Sequence, residues 1–307
     1  MDYTLLFVQM LNGVQLGLLL FLVASGLTLV FGILDFVNLA HGSIYMVGAF
    51  ICASLTYVVG NFLLAIVIAL PITGLLGYLI ERLVARNLYG RDHLDHVLAT
   101  FGLILVLDTS VHLIWGPEGI AVPLPLWLDG RVTLFEGVVV PTFRLLIIGT
   151  GLAIAAGLFW LVNYTRLGML IRAGASNRTM VSALGIDIQT LFALVFALGA
   201  MLAGLAGMLI SPITEASISM GGEIIITAFV VIIVGGIGSM KGAFVAAIVI
   251  GLIDTMGRSF IDDLFKLFMS SDAAETSAPA VSAMLIYIIM AVILALRPQG
   301  LFPPKVR

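Results

Sequence analysis

The sequence predicts an all-α integral membrane protein, a polytopic helical bundle of eight to ten spans, and three observations lead there. Of 307 residues, 61% are apolar and 10% charged, where a soluble domain carries roughly a quarter charged. The apolar residues run in unbroken blocks of about twenty, enough to cross a ~30 Å hydrocarbon core, and not in the ten-residue alternations of a barrel. The charges collect between these blocks, in segments too short for a soluble domain, so residues 1–307 read as one transmembrane domain. In lipid the backbone must satisfy its own hydrogen bonds, which leaves helices as the spanning elements.

The blocks, in order, are Leu5–Leu34, Phe36–Val59, Asn61–Val84, Val97–Trp115, Arg144–Asn163, Ile188–Ile210, Glu223–Ile237, Ala243–Gly257 and Ala280–Leu296. The opening MDYTLLFVQMLNG lacks a basic segment and a small-residue cleavage site, so it reads as the first span and not as a removable signal. The blocks from Glu223 and from Ala243 are short for a bilayer and flank GGIGSMKG, where glycine makes a continuous helix costly. That region reads either as two full crossings or as broken half-helices.

Arginine and lysine orient the chain. The segments around Arg82, Arg86 and Arg91, around Arg166, Arg172 and Arg178, and the tail with Arg297, Lys305 and Arg307 are assigned to the cytoplasm. Gly116–Pro141, Ser211–Gly222 and Arg258–Pro279 then lie outside. With nine crossings the N-terminus is outside and the C-terminus cytoplasmic. The outer loop 116–141 is expected to hold a small β-hairpin turning at Asp129-Gly130. Asp262–Pro279, containing SSDAAETSAP, is expected to be a flexible loop.

Several classes of function fall away. A net charge of −3 argues against a nucleic-acid partner. The single cysteine, Cys52, lies inside an apolar block and supports neither a disulfide framework nor a metal cluster. There is no nucleotide-binding GxxxxGK[ST] and no HExxH or Gly-x-Ser-x-Gly. His93 and His96 stand with Asp92 and Asp95 in RDHLDH, which reads as a solvated loop before a metal site. No catalytic residue, metal ligand or cofactor site of the chain's own is expected.

Polar interruptions inside apolar blocks are more informative, because unwound backbone at membrane depth needs protein or water to satisfy it. One is GILDFVNLAHGS, Gly32–Ser43; the other is GGIGSMKG, Gly235–Gly242. Asn38, His41, Gly42 and Ser43 in the first, and Gly235, Gly236, Gly238 and Ser239 in the second, are the candidate translocation-pathway residues. The competing reading makes Asp35–His41 an ordinary inner loop. Asp108 and His112 share one helix face near the outer mouth and read as an Asp–His pair or as a functional acid. Small residues at four-residue spacing, Gly199–Ala203–Gly207 and Ala200–Gly204, with Gly42, Gly74 and Gly77, suit close helix packing in lipid.

The stretch that organises the chain is a polar island, Arg166–Asp187, with three arginines and one aspartate between two long apolar blocks. Its middle is expected to form a short helix, about Ala175–Leu184, capped by Ser176 or Asn177. Met180, Val181 and Leu184 would share a face, and Gly185 would end it in a left-handed C′ position. Such a helix either lies on lipid or presses its apolar face into a groove on a cytoplasmic protein.

The island TRLGMLIRAGASNRTMVSALGID, the break FVNLAHGSIYMVGA, the stretch VVIIVGGIGSMKGAFVAAIVIG and the closing RPQGLF resemble the permease family of bacterial branched-chain amino acid ABC importers, of the LivH type. The resemblance covers nearly the whole chain, from Leu16 to Pro304. It implies an inner-membrane permease that forms the pathway and is coupled to separate ATPase subunits, which bind the ATP and Mg. It implies two such ATPases, a second homologous permease and a periplasmic or extracellular substrate-binding protein as partners. The island would be the coupling segment, with Met180, Val181 and Leu184 as apolar contacts, Asn177 and Gly185 as its ends, and Arg172, Arg178 and Asp187 as rim charges. Amide and urea permeases share the same motifs and remain an alternative, as does, from another class, an ion-coupled secondary amino acid transporter relying on Asp108.

Overall fold

A computed structural model of the chain describes residues 3–135 and 138–303, leaving Lys305 and Arg307 of the basic tail outside the described residues. The helices are α1 (Tyr3–Leu34), α2 (His41–Val59), α3 (Phe62–Leu83), α4 (His93–Trp115), α5 (Thr142–Tyr164), α6 (Arg166–Ser176), α7 (Arg178–Ala183), α8 (Ile188–Thr214), α9 (Met220–Gly235), α10 (Met240–Phe265) and α11 (Ser271–Leu296). Strands β1 (Arg131–Phe135) and β2 (Val138–Pro141) pair antiparallel ahead of α5. Eight of the helices are long and apolar enough to cross a membrane; α9, with 16 residues, is shorter. This is a multi-pass, all-α membrane protein with one small hairpin. Contacts group its residues into two compact units.

The first unit comprises Leu22–Pro125 and Ala153–Ala228, and α8 is its centre. A hydrophobic drive between helices is absent in lipid, so backbones must approach closely enough for dispersion to hold them. Alpha8 achieves this with small residues. A Cβ on Gly204 would lie 2.5 Å from Cγ2 of Thr73 on α3, and one on Gly77 of α3 would lie 2.3 Å from the Cβ of Ala200. Toward α2, a Cβ on Gly48 would meet the Cα of Gly204 at 2.5 Å, and one on Gly207 the Tyr45 carbonyl at 2.1 Å. Alpha2 and α3 are joined tightly because Gly60 (φ +72°) ends one in the left-handed region and Asn61 caps the other through Leu63 and Leu64 N–H.

The second unit comprises Met1–Phe21, Leu126–Leu152 and Phe229–Arg307. Here Gly13 and Gly17, four apart on α1, meet α10: a Cβ on Gly251 would lie 2.4 Å from the Gly17 nitrogen. Phe21 packs edge-on against Phe244 at 5.2 Å, and Arg144 donates to Asn12. Ser282 of α11 donates to the Gly257 carbonyl of α10 at 3.1 Å, beside buried Ala274 and Ala278.

Three expectations are corrected. The hairpin exists, but Asp129-Gly130 is not its turn: the connection falls at residues 136–137, outside the described residues, and Gly130 accepts from Thr142 N–H at the open end. Residues Asp262–Pro279 are not a flexible loop. Alpha10 runs past Gly257 to Phe265, carried by i,i+4 pairs of Arg258 with Asp254 at 3.0 Å and of Lys266 with Asp262 at 2.6 Å. Alpha11 begins at Ser271, and Lys266 also reaches Glu275 at 3.5 Å, tying the two helix ends together. These bonds, Asp262 foremost, raise the Lys266 pKa. Lastly, α2 starts at His41 and not at Phe36, because Asp35 (φ +50°) turns the chain out of helix.

Packing at α8 gives a direct check. Gly207→Ala is expected to lower thermal stability in detergent by about 1–3 kcal/mol, the cost of overpacking against backbone. Gly157→Ala, whose Cβ would meet nothing within 4 Å, should be neutral or slightly stabilising.

Candidate functional site

The island folds as two helices and not one. Thr165 caps α6, its hydroxyl accepting from Gly168 N–H at 3.1 Å, and Gly168 abuts the end of α5, where a Cβ would lie 2.2 Å from the Leu161 carbonyl. Ala175 and Ser176 belong to α6. Asn177, extended at φ −154°, separates it from α7 and caps α7 by accepting from Met180 N–H at 2.9 Å. Gly185 (φ +82°) ends the segment in the left-handed position expected of it. Asp187 then caps α8, accepting from Gln189 and Thr190 N–H at 3.0 and 3.2 Å and from the Thr190 hydroxyl. The Thr190 bonds hold its carboxyl below the usual range.

Of the three apolar residues expected on one face, Met180 and Leu184 are 63% and 72% exposed, whereas Val181 is 5% exposed. Val181 therefore faces the protein, a hundred degrees around the helix from Met180. Arg172 is exposed. Arg178 is not a rim charge: its Nη2 donates to the Ile33 carbonyl at 3.3 Å and its guanidinium lies 5.4 Å from the Phe192 ring centroid. Asp187 is likewise engaged by its own helix.

The first break lies beside the interior of α4. Leu39 N–H donates to the Thr100 hydroxyl at 3.3 Å, two turns beyond the start of α4. Phe36 is buried among His96 (4.7 Å), Tyr89 (5.9 Å) and Phe196 (6.3 Å). His41 is buried and its Nε2 donates to the Val23 carbonyl at 3.1 Å. Gly42 lies against α9, where a Cβ would sit 2.1 Å from the Gly221 carbonyl. Ser43 donates to Asp108 at 2.8 Å. Asp108 is thus matched with Ser43, four residues short of exposed His112, and the expected Asp–His pair does not form. Neither Ser43 nor Thr100 as a partner was legible in the sequence, because each lies more than sixty positions away.

Asn38 is the exception. It is fully buried, and neither its amide nitrogen nor its amide oxygen has a hydrogen-bond partner. A buried amide without partners costs about 1–3 kcal/mol, and an apolar replacement removes that cost.

The second break is a turn between α9 and α10. Gly236 and Gly238 take φ +102° and +80°, Ser239 caps α10 through Gly242 N–H at 3.1 Å, and Gly235 touches Gly242. The closing segment completes it: Leu301 and Phe302 N–H donate to the carbonyls of Val234 and Gly235 at 2.8 and 3.0 Å. Gly235, Gly236, Gly238 and Ser239 thus turn and cap the chain.

An ion cluster missed by sequence reading stands at the end of α3. Glu81, with a fully buried side chain, binds Arg86 at 3.0 Å and accepts from the Tyr89 hydroxyl at 3.1 Å, while Arg86 also reaches Gln189. Burial first, and Glu81 second, push the Tyr89 pKa up. His96 is buried and its Nε2 donates to the Leu88 carbonyl at 2.9 Å. Among the described residues no three potential metal-ligating side chains converge.

A bundle of spans closed on small residues, with one polar break and a short exposed helix at the same end of α1, has the build of a transport permease. Residues 9–294 match the family described as branched-chain amino acid transport system / permease component, and the chain belongs to it. The chain is 31% identical over 272 residues to the high-affinity branched-chain amino acid transport system permease protein BraD of Pseudomonas aeruginosa, covering 84% of this chain and 88% of that one. It is 31% identical over 275 residues to LivH of Escherichia coli K12, with the same coverage, and 27% identical over 261 residues to a probable LivH of Methanocaldococcus jannaschii, covering 80% and 79%. No solved structure matches significantly.

Two outcomes are expected at this site. Asn177→Ala should cost about 0.5–2 kcal/mol of local stability, read as faster amide exchange over residues 178–183. Arg86→Ala, which leaves the buried Glu81 carboxylate without its cation, should lower thermal stability by about 3–5 kcal/mol.

Proposed function

We propose that this chain is the transmembrane permease subunit of an ATP-driven importer of branched-chain amino acids. The observation that carries the reading is membership of the permease family over residues 9–294, with relatives of that printed activity at about 30% identity. In this reading the chain sits in the bacterial inner membrane with its N-terminus outside and its C-terminus in the cytoplasm. It pairs with a second permease, and a binding protein delivers substrate from outside. ATP and Mg are held by two partner ATPase subunits, and this chain is not itself an enzyme.

The coupling surface is α7. Met180 and Leu184 offer exposed apolar contacts, and exposed Arg172 sits at the rim. Closure of the ATPase pair displaces this helix, and the spans rock between outward and inward openings. An apolar pathway suits leucine, isoleucine and valine side chains. The unpaired amide of Asn38 supplies both donors and an acceptor, which match the carboxylate and ammonium of a zwitterion. His41, three residues on, opens α2.

Met180→Asp with Leu184→Asp is expected to abolish co-purification of ATPase subunits and ATP-driven leucine uptake in vesicles while the bundle stays folded, since both side chains are exposed. Retained assembly and uptake would refute the coupling role. Asn38→Ala should leave thermal stability unchanged or raised and reduce uptake at least several-fold; unaltered uptake would remove it from the pathway. Uptake of short amides or urea in place of leucine would point to the amide permeases. Uptake driven by an ion gradient without any ATPase would replace the whole reading.

A further inference from the structure

Arg178 opens α7, the helix offered to the ATPase, yet its guanidinium points into the protein. It donates to the carbonyl of Ile33 at 3.3 Å and lies 5.4 Å from the centroid of the Phe192 ring. The Ile33 carbonyl is in the last turn of α1, where carbonyls have no partner within the helix and the dipole is negative, so a cation is favoured. Two residues further on, Asp35 turns the chain at φ +50° into the stretch that carries Asn38. Phe192 leads to the same stretch by another route. It packs edge-on against Tyr89 at 5.3 Å, and Tyr89 packs against Phe36 at 5.9 Å.

We propose that Arg178 is a positioning residue that converts displacement of α7 into a change in the Asp35–Ala40 stretch, and so in the setting of the Asn38 amide. The source of the displacement rests on the importer reading; the linkage is a property of this chain alone. Alpha7 spans six residues, and its flanks, Asn177 and Gly185, are where the backbone changes direction. Arginine suits the role because a planar cation can bond a carbonyl edge-on while stacking on a ring, whereas lysine keeps only the charge.

The test has two arms. In the purified chain in lipid nanodiscs, Arg178→Ala is expected to speed amide exchange of residues 35–40 about tenfold or more, the loss of one charge-assisted bond. Arg178→Lys should do so less. Unchanged exchange at 35–40 overturns the link whatever the partner. In the full assembly, Asn38→Cys in a Cys52→Ala background is labelled with a thiol reagent with and without nucleotide. The labelling rate is expected to depend on nucleotide with Arg178 present and to lose that dependence in Arg178→Ala, with ATPase subunits still co-purifying. Dependence that survives Arg178→Ala, or is absent with Arg178 in place, overturns transmission. Should Arg178→Ala fail to assemble, Arg178→Lys carries the same two readings. Failure of the unsubstituted chain to bring down any ATPase would count against the importer reading, while the exchange arm still decides the linkage.

Discussion

Lipid removes the force that assembles most proteins, since hydrocarbon tails solvate leucine as well as another leucine does. What remains is largely dispersion, which loses roughly a quarter to a half of its strength over a gap of about 0.5–1 Å. That is why the first unit is built on contact between backbones. Gly204 and Gly207 of α8 let α2 and α3 approach to distances at which no side chain fits. A methyl group at Gly207 would push α8 away from α2, the helix that His41 opens.

The second constraint is that backbone polar groups away from water must find partners. The two interruptions meet it differently. Around Gly235–Ser239 the closure is nearly complete, with left-handed glycines, a serine cap and main-chain bonds from the closing segment. Around Asp35–Ala40 the Leu39 N–H is met by the Thr100 hydroxyl of α4, Arg178 holds the Ile33 carbonyl just ahead of the stretch, and the Asn38 amide is left over. A segment held by distant side chains can change when those side chains move. A turn held by its own backbone has less reason to.

Much of this was legible in the sequence, and the reason is physical. Span positions follow from block hydropathy, and the packing role of Gly199 to Gly207 from four-residue spacing. The Asn177 cap and the Gly185 stop are local chemistry, written within a few residues of the helix they bound. What the sequence hid is long-range. Val181 looked equivalent to Met180 until the fold showed which side of α7 was covered. Arg178 looked like a surface charge because its partners are Ile33 and Phe192. The SSDAAETSAP stretch reads as a loop by composition, yet it forms the start of α11, with Lys266 bridging Asp262 and Glu275 beside it. Asp129-Gly130 carries a strong turn signal that the chain uses at the foot of the hairpin instead of its tip.

The bonds from Leu301 and Phe302 to the carbonyls of Val234 and Gly235 have a bearing on biogenesis. Those carbonyls emerge from the ribosome well before their partners do, with all of α10 and α11 still to be made. During that interval the end of α9 must be satisfied by water or by transient company. The fold at this end is therefore sealed by a stretch synthesised after α10 and α11, so insertion of the earlier helices and this closure are separate events in time.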